Sequence, residues 1–173
     1  MMGFLLLIPF YLVRFSLMAA LDREAIGRAA HFPPMPGGEK VAYYLYQLST
    51  VALLLGILAA RIRTAPLALF GTGLLLYLAG LALLAGAVRD FAAPAPGGMR
   101  RQGLYRLSRN PMYLAYFVFF AGCALLVRSP LLLAITAVFQ LSAHWVILAE
   151  ERWCIRQFGQ DYIRYMAEVR RYL

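Results

Sequence analysis

Long apolar runs separated by short basic stretches dominate the chain. A bilayer core about 30 Å thick requires about 20 apolar residues per helix, and five runs approach that length. The last two are shorter, and only Arg128-Ser129-Pro130 separates them, which predicts a tight helical hairpin. The runs cover Met2–Leu21, Val41–Ala60, Pro66–Val88, Met112–Val127 and Leu131–Ala149. We therefore expect an all-α integral membrane protein with about five transmembrane helices, forming a single membrane domain over residues 1–173.

The final segment, residues 150–173, is too charged to span a membrane. Four of its apolar or aromatic positions recur at the helical spacing i, i+3, i+4 and i+7: Tyr162, Tyr165, Met166 and Val169. This spacing predicts an amphipathic tail helix, with Asp161 as a cap between two short helices. The simplest alternative role for such a helix is to lie on the membrane surface.

Composition supports the membrane assignment. Hydrophobic residues make up 62% of the chain and charged residues only 14%, whereas soluble domains lie near one-half and one-quarter. The formal net charge is +9, carried by sixteen Arg and one Lys against eight acids. The basic residues fall between apolar runs, so we interpret them as loop charges beside anionic lipid headgroups and expect no nucleic-acid partner.

The distribution of these charges predicts orientation. One set of connections, together with the tail, holds thirteen basic residues, and the opposite set holds three. The first set is Arg23, Arg28, Lys40, Arg89, Arg100, Arg101, Arg106, Arg109, Arg152, Arg156, Arg164, Arg170 and Arg171; the second is Arg61, Arg63 and Arg128. Because cytoplasmic loops are enriched in Lys and Arg, we expect the N-terminus outside and the third loop and tail in the cytoplasm. The first run has no basic leader, so we interpret it as a retained helix rather than a signal peptide.

The metal-binding and redox-active residue types are sparse. Cys123 and Cys154 show no disulfide or metal spacing, and His31 and His144 are too far apart for a His-based zinc site, so no metal is expected. Arg14, inside the first run, either snorkels to the interface or faces the bundle interior.

A first candidate cluster precedes the fourth run. Asn110 followed by Pro111 is a favourable helix start, with Asn at the cap and Pro at the first helical position. The open N–H groups of such a start, with Arg106 and Arg109 nearby, suit a carboxylate or a phosphate. A lipid headgroup contact by these Arg residues is the competing interpretation.

A second candidate cluster, Glu150-Glu151, ends the fifth run. Carboxylates there oppose the helix dipole, which favours cations at a helix C-terminus. The compensating charge is either a nearby Arg or a cationic ligand. Since the hairpin returns both clusters to the same membrane face, a ligand with a carboxylate and a positive centre would match them.

The stretch from Gly103 to Val169 resembles the cofactor-binding region of isoprenylcysteine carboxyl methyltransferases and phospholipid N-methyltransferases. That pattern reads Gly-x-Tyr-x-x-x-Arg-(His/Asn)-Pro-x-Tyr, then Glu-Glu, then Phe-Gly-x-x-Tyr-x-x-Tyr. The matching residues are Gly103, Tyr105, Arg109, Asn110, Pro111, Tyr113, Glu150, Glu151, Phe158, Gly159, Tyr162 and Tyr165. The chain departs from the pattern at Ala115, where Gly is frequent, and at Arg170, where Pro is usual.

The resemblance implies S-adenosylmethionine as methyl donor and a lipophilic acceptor that enters from the bilayer. It places Arg109 and the segment Asn110, Pro111, Met112 and Tyr113 at the methionine carboxylate and adjacent cofactor groups. It places Glu150 and Glu151 at the ribose hydroxyls or the amino group. Tyr105 also belongs to the expected cofactor-binding set, and Tyr113, Tyr162 and Tyr165 would wall the adenosine.

The expected catalytic residues are Arg109, to position the acceptor, and Glu151, as base for an amine acceptor. His144 is an alternative base. An isoprenylcysteine-like carboxylate is the first candidate acceptor and phosphatidylethanolamine the second. An NADPH-dependent membrane reductase and a non-enzymatic membrane protein remain alternative functions, and the sequence leaves the oligomeric state open.

Overall fold

The computed structural model describes residues 2–172, in which helices joined by loops account for the regular structure apart from one isolated bridge between Met2 and Arg61. Met1 and Leu173, the ends of the predicted domain, lie outside the described residues. Two 3-10 turns, Pro96–Gly98 and Gly103–Arg106, interrupt the longest connection. The α-helices are α1 Phe4–Leu21, α2 Arg23–Ala29, α3 Glu39–Ala59, α4 Leu67–Ala92, α5 Pro111–Leu126, α6 Pro130–Phe158 and α7 Gln160–Glu168.

Four of these helices, α1, α3, α4 and α6, are long and apolar enough to cross a membrane, and α5 is a shorter apolar helix of 16 residues. At 1.5 Å per residue α5 is about 24 Å long, less than the bilayer core. The structure confirms the expected all-α integral membrane fold with its short hairpin partner. The predicted end of the fifth run at Ala149 is not the end of the helix, since α6 continues to Phe158. Charged residues such as Glu and Arg prevent membrane insertion but favour helix, so α6 projects beyond its apolar part.

The connections gather at two ends of the bundle. At one end, the backbone N–H of Gly3 donates to Ala60 and that of Arg63 donates to Leu126. At the other end, Asp90 accepts from the Leu104 N–H, and ion pairs join Arg152 to Glu39 and Arg109 to Glu151. We call this second end the basic end, because it carries the thirteen-residue set of basic positions.

The helices α4 and α5 approach each other most closely. A Cβ atom on Gly80 would lie 2.5 Å from the Phe119 backbone nitrogen, and one on Gly122 would lie 2.4 Å from the Tyr77 nitrogen. Small residues allow backbones to approach in this way in membrane helix pairs. This contact fixes α5, and with it the start of α5 at the basic end.

The hairpin turns as expected: Arg128 adopts positive φ and the Ser129 hydroxyl accepts from the Leu132 N–H. At the other end of α6, Gly159 adopts a φ of 57° and breaks the helix. The prediction that Asp161 caps the tail helix was wrong. Because the break falls at Gly159, α7 begins at Gln160 and Asp161 lies in its first turn.

Candidate functional site

A cavity of about 890 Å³ opens at the basic end between the helices and the segment 97–110. Eight of the ten residues predicted to bind a cofactor line it, which brings both sequence clusters and the tail to one place. They are Tyr105, Arg109, Asn110, Met112, Tyr113, Glu150, Tyr162 and Tyr165. The other two, Pro111 and Glu151, lie beside the cavity but not on its wall.

Glu150 presents its carboxylate to this cavity. Its Oε1 accepts a hydrogen bond of 2.7 Å from the Tyr113 hydroxyl. Among the described residues no cation pairs with Glu150 and no donor reaches its second oxygen. Glu150 is partly buried, and a carboxylate withdrawn from water without a cation is costly, so this oxygen is an available acceptor for a ligand amino group or hydroxyl.

Glu151 has the opposite surroundings. Arg109 donates to it through Nε at 3.1 Å and through an Nη at 2.8 Å, and Arg171 donates to both of its oxygens. The side chains of Glu151 and Arg109 are 5% and 7% exposed, so solvent screens the pair little. We call Arg109, Glu151 and Arg171 the clamp. The hydrogen bond to Glu151 raises the pKa of Arg171, which keeps the clamp charged.

The clamp holds the end of the tail against α5 and α6. The second Nη of Arg109 donates to the carbonyl oxygens of Met166 and Val169 at 3.0 and 2.6 Å. With two bonds to Glu151 and two to carbonyls, Arg109 has used most of its five donors. Its guanidinium therefore faces protein groups, although Arg109 was expected to face the cofactor carboxylate.

The predicted helix start is present, with a different use for its polar side chain. α5 begins at Pro111 after Asn110, but the Asn110 side chain makes no capping bond. Its Nδ2 instead donates to the Arg171 carbonyl at 3.1 Å, and the Ser108 hydroxyl donates to the same carbonyl. The tail competes for this side chain because Arg171 runs alongside residues 108–110.

As a result, the first turn of α5 keeps open donors. The backbone N–H of Leu114 is the first in α5 with an acceptor, the Asn110 carbonyl. Those of Met112 and Tyr113 have none among the described residues, and both residues line the cavity. Two free N–H groups at the positive end of a helix dipole have the chemistry that suits a carboxylate or a phosphate.

The tail helix packs on the cavity. The Tyr162 and Tyr165 side chains are buried, and the Tyr165 hydroxyl donates to the Tyr105 carbonyl at 2.5 Å. Burial raises the pKa of Tyr165 to about 12 and also raises the pKa of Tyr105 and Tyr162. These phenols are therefore protonated at neutral pH and form aromatic walls with donor groups.

Gly103, the first residue of the sequence pattern, has a structural explanation. It adopts a φ of 58°, and a Cβ atom there would lie 1.9 Å from a carboxylate oxygen of Asp90. That same Asp90 oxygen accepts from the Leu104 N–H at 2.7 Å. Glycine at 103 therefore lets the end of α4 hold the turn that carries Tyr105.

Sequence reasoning missed the half of the cavity that lies among the apolar helices. The missed lining residues include the aromatic side chains Tyr46, Tyr116, Phe139 and Trp153; Arg14, which was expected either at the interface or in the bundle interior, also lines the cavity. Helical spacing could have predicted two of them, because Tyr116 lies three positions after Tyr113 and Trp153 lies three positions after Glu150, on the same helix faces. The contribution of α1 and α3 had no such signal, because it depends on long-range packing.

His144 does not line this cavity: its Nδ1 lies 2.9 Å from the Tyr172 hydroxyl. Within residues 2–172 no group of three or more His, Cys, Asp or Glu side chains is placed to hold a metal ion.

Comparison with known proteins adds a family assignment to this geometry. Residues 62–161 match a family model described as phospholipid methyltransferase. The match covers more than half of the chain and includes α5, α6 and both acids Glu150 and Glu151. No curated protein matches the chain.

Proposed function

Because the chain belongs to the phospholipid methyltransferase family, and is by that membership a membrane methyltransferase, we propose that its cavity binds S-adenosylmethionine beside a lipophilic acceptor. The observation that supports this proposal is that one cavity contains both a hydrogen-bond acceptor for a cationic or hydroxyl group and hydrogen-bond donors for an anionic group. Glu150 offers an acceptor oxygen, while Met112 and Tyr113 offer two N–H donors. The methyl donor carries an ammonium, ribose hydroxyls and a carboxylate, which these groups match.

The residues present fit that cofactor. The cavity volume of about 890 Å³ lies in the upper part of the range for small-molecule sites, which leaves space for part of an acceptor. Glu150 would accept from the amino group or the ribose, the start of α5 would bind the carboxylate, and Tyr162 and Tyr165 would flank the adenosine. Arg109 would act differently from the expectation, by holding the tail over the site through the clamp.

When bound, S-adenosylmethionine supplies an electrophilic methyl: the acceptor's lone pair forms a bond to the methyl carbon as the carbon–sulfur bond breaks and its electrons return to sulfur. The chain then has to align the acceptor and exclude water. The buried aromatic walls and the clamped tail serve both purposes, since they close the basic end of the cavity with well-packed side chains.

Clamp geometry favours an acceptor that needs no base. Both oxygens of Glu151 are engaged by Arg109 and Arg171, so this carboxylate is badly placed to remove a proton from an amine. A carboxylate acceptor of the prenylated-cysteine kind carries its own negative charge and is our first candidate. Phosphatidylethanolamine is the second, and it would require deprotonation by another group.

Access from the membrane is supported by α1. Tyr11 and Phe15 line the cavity and also expose 41% and 46% of their surface on the apolar exterior of the bundle. An acceptor tail would enter beside them from the bilayer. Applying the positive-inside rule to the basic end, we propose that the site faces the cytoplasm and that the N-terminus lies outside.

The test is calorimetric titration of the purified protein in neutral detergent with S-adenosylhomocysteine and, separately, with NADPH. We expect only S-adenosylhomocysteine to bind, and we expect Glu150→Ala to weaken its binding at least tenfold. Glu168→Ala, on the exposed side of α7, is the matched control and should leave the Kd unchanged. Binding of NADPH instead would favour a reductase, and binding of neither ligand would favour a non-enzymatic protein.

Mass spectrometry after incubation with labelled methyl donor and a lipid extract would identify the acceptor.

A further inference from the structure

Arg14 is the only charged residue in α1, an apolar helix long enough to cross the membrane. It lies in a π-helical turn, Leu12–Leu17, that interrupts α1 a few residues after Pro9. Such turns carry an energetic cost and occur frequently at functional sites. A cation inside a membrane helix is also energetically unfavourable. Two unfavourable features at one position call for a physical explanation.

Protein contacts do not supply that explanation. The Arg14 guanidinium donates to the Met18 sulfur at 3.3 Å and to the Ala29 carbonyl at 3.4 Å, both weak or long contacts. Within residues 2–172 no carboxylate pairs with Arg14, whereas Arg28, Arg89, Arg109, Arg152, Arg164 and Arg171 each pair with at least one. The guanidinium also lies 5.7 Å from the centre of the Phe15 ring, but it has five N–H donors, so Arg14 keeps donors and a positive charge that no carboxylate neutralises.

That charge faces the cavity. Arg14 lines it together with Phe10, Tyr46 and Tyr116 from three helices, all apolar or phenolic neighbours. By helical rise, Arg14 lies about 15 Å from the start of α1, whereas Glu150 lies about 30 Å from the start of α6 at the same end of the bundle. The backbone of Arg14 thus lies further from the basic end than that of Glu150, while the Arg14 guanidinium extends toward Met18 and Ala29 and lines the aromatic part of the cavity.

We propose that Arg14, among the aromatic lining residues of the cavity, binds the anionic group of the methyl acceptor, a carboxylate or a phosphate. This inference rests on the proposed function, because it assigns the aromatic part of the cavity around Arg14 to the acceptor and the part around Glu150 to the methyl donor. A guanidinium binds either anion through paired hydrogen bonds, and the low dielectric around Arg14 strengthens that attraction. Arg14 is then a positioning residue that selects acidic amphiphiles over neutral ones.

A purely structural role makes a different prediction. If Arg14 only snorkels toward Ala29 at the basic end, it contributes to anchoring α1 and does not discriminate between ligands. Replacing it would then change thermal stability without changing which amphiphiles bind.

The experiment measures binding of three twelve-carbon probes to purified protein in a maltoside detergent at pH 8, with S-adenosylhomocysteine present: dodecanoate, dodecyl phosphate and dodecanol. We expect at least one anion to bind ten times more tightly than dodecanol. The identity of that anion distinguishes a carboxylate acceptor from a phosphate-bearing lipid. Arg14→Gln should abolish the preference, and Arg14→Lys should retain part of it. Arg63→Gln, at the opposite end of the bundle, is the charge-matched control and should behave as wild type.

Equal binding of all three probes to the wild type, or an unchanged preference in Arg14→Gln, would overturn the inference. Should Arg14→Gln fail to fold, Arg14→Lys and the wild-type comparison decide the question. A separate titration of the wild type reports the Kd of S-adenosylhomocysteine. Absence of S-adenosylhomocysteine binding in the wild type would contradict the proposed function but would leave the anion preference measurable. The two failures are therefore distinguishable.

Discussion

Glu150 and Glu151 are adjacent acids on one helix, but they lie in regions with different surroundings, an ion cluster and an open cavity. Glu151 belongs to the clamp, where two Arg side chains occupy its oxygens and the tail is fastened to α5 and α6. Glu150 belongs to the cavity, where a single tyrosine hydroxyl holds it and one oxygen is open. Successive helical residues point about 100° apart. The Glu151 side chain therefore reaches the ion cluster, while the Glu150 side chain reaches the cavity.

This contrast separates structural from ligand-binding roles better than residue type does. A carboxylate fully satisfied by buried cations has no capacity left for a ligand, however close it lies to the site. A carboxylate that protein groups satisfy incompletely is costly unless a ligand completes it. We therefore expect mutations in the clamp to act on stability and mutations in the cavity to act on binding.

The largest effect is expected for Glu151→Ala. It removes the counter-charge from Arg109, which is 7% exposed, and from Arg171. Leaving one partner of a buried pair unmatched costs about 3 kcal/mol or more, or a fall in Tm of roughly 10 °C for a protein of this size. Thermal unfolding in detergent measures it. A Tm within about 2 °C of wild type would show that the clamp does not hold the tail.

The next effect tests the cavity side of the comparison. Tyr113→Phe removes the hydroxyl that donates to Glu150 and orients it. We expect the Kd for S-adenosylhomocysteine to rise about fivefold, equivalent to about 1 kcal/mol, with little change in Tm. The control is Tyr44→Phe, whose side chain is exposed on the apolar exterior. A large fall in Tm without a change in Kd would assign Tyr113 to the structural side.

The membrane fold could be predicted from the sequence, and most of the predicted cofactor-binding residues line the cavity, because apolar run length and helix-start residues are local signals. The hairpin turn at Arg128 and the start of α5 at Pro111 follow from such signals. The clamp could not be predicted, because it joins residues far apart in the chain: Arg171 contacts Glu151 and its carbonyl accepts from Asn110. Because the clamp could not be predicted, Glu150 and Glu151 were interpreted from the sequence as one pair. Nothing in the sequence indicates which of the two acids has cationic partners.

Tyr165→Phe tests the tail helix where clamp and cavity meet. Losing the hydrogen bond to the Tyr105 carbonyl should destabilise the protein by about 1 kcal/mol at neutral pH. The raised pKa of about 12 adds a pH dependence. Tyr165 contributes stability that is fully present below the unfolded pKa of about 10 and is lost as pH rises to about 12. Denaturant titrations from pH 9 to 12 should therefore show a shallower alkaline decline in the variant. Parallel declines would contradict burial of this phenol.

The smallest effect is expected for Asp161→Ala. Asp161 pairs with Arg164 on the exposed face of α7, with both side chains more than half exposed. Exposed pairs contribute only about 0–1 kcal/mol, so stability and S-adenosylhomocysteine binding should both remain close to wild type. A loss comparable to that of Glu151→Ala would mean that the ion pairs of the tail do not differ by burial as we describe.

The most direct test of the account is an experimental structure of the protein with S-adenosylhomocysteine bound. The account predicts that the adenosyl group lies in the cavity, with a ligand amino group or hydroxyl on Glu150, the ligand carboxylate at the N–H groups of Met112 and Tyr113, and Glu151 still held by Arg109 and Arg171. A ligand that contacts Glu151 with the clamp opened, or that binds away from Glu150, would contradict it.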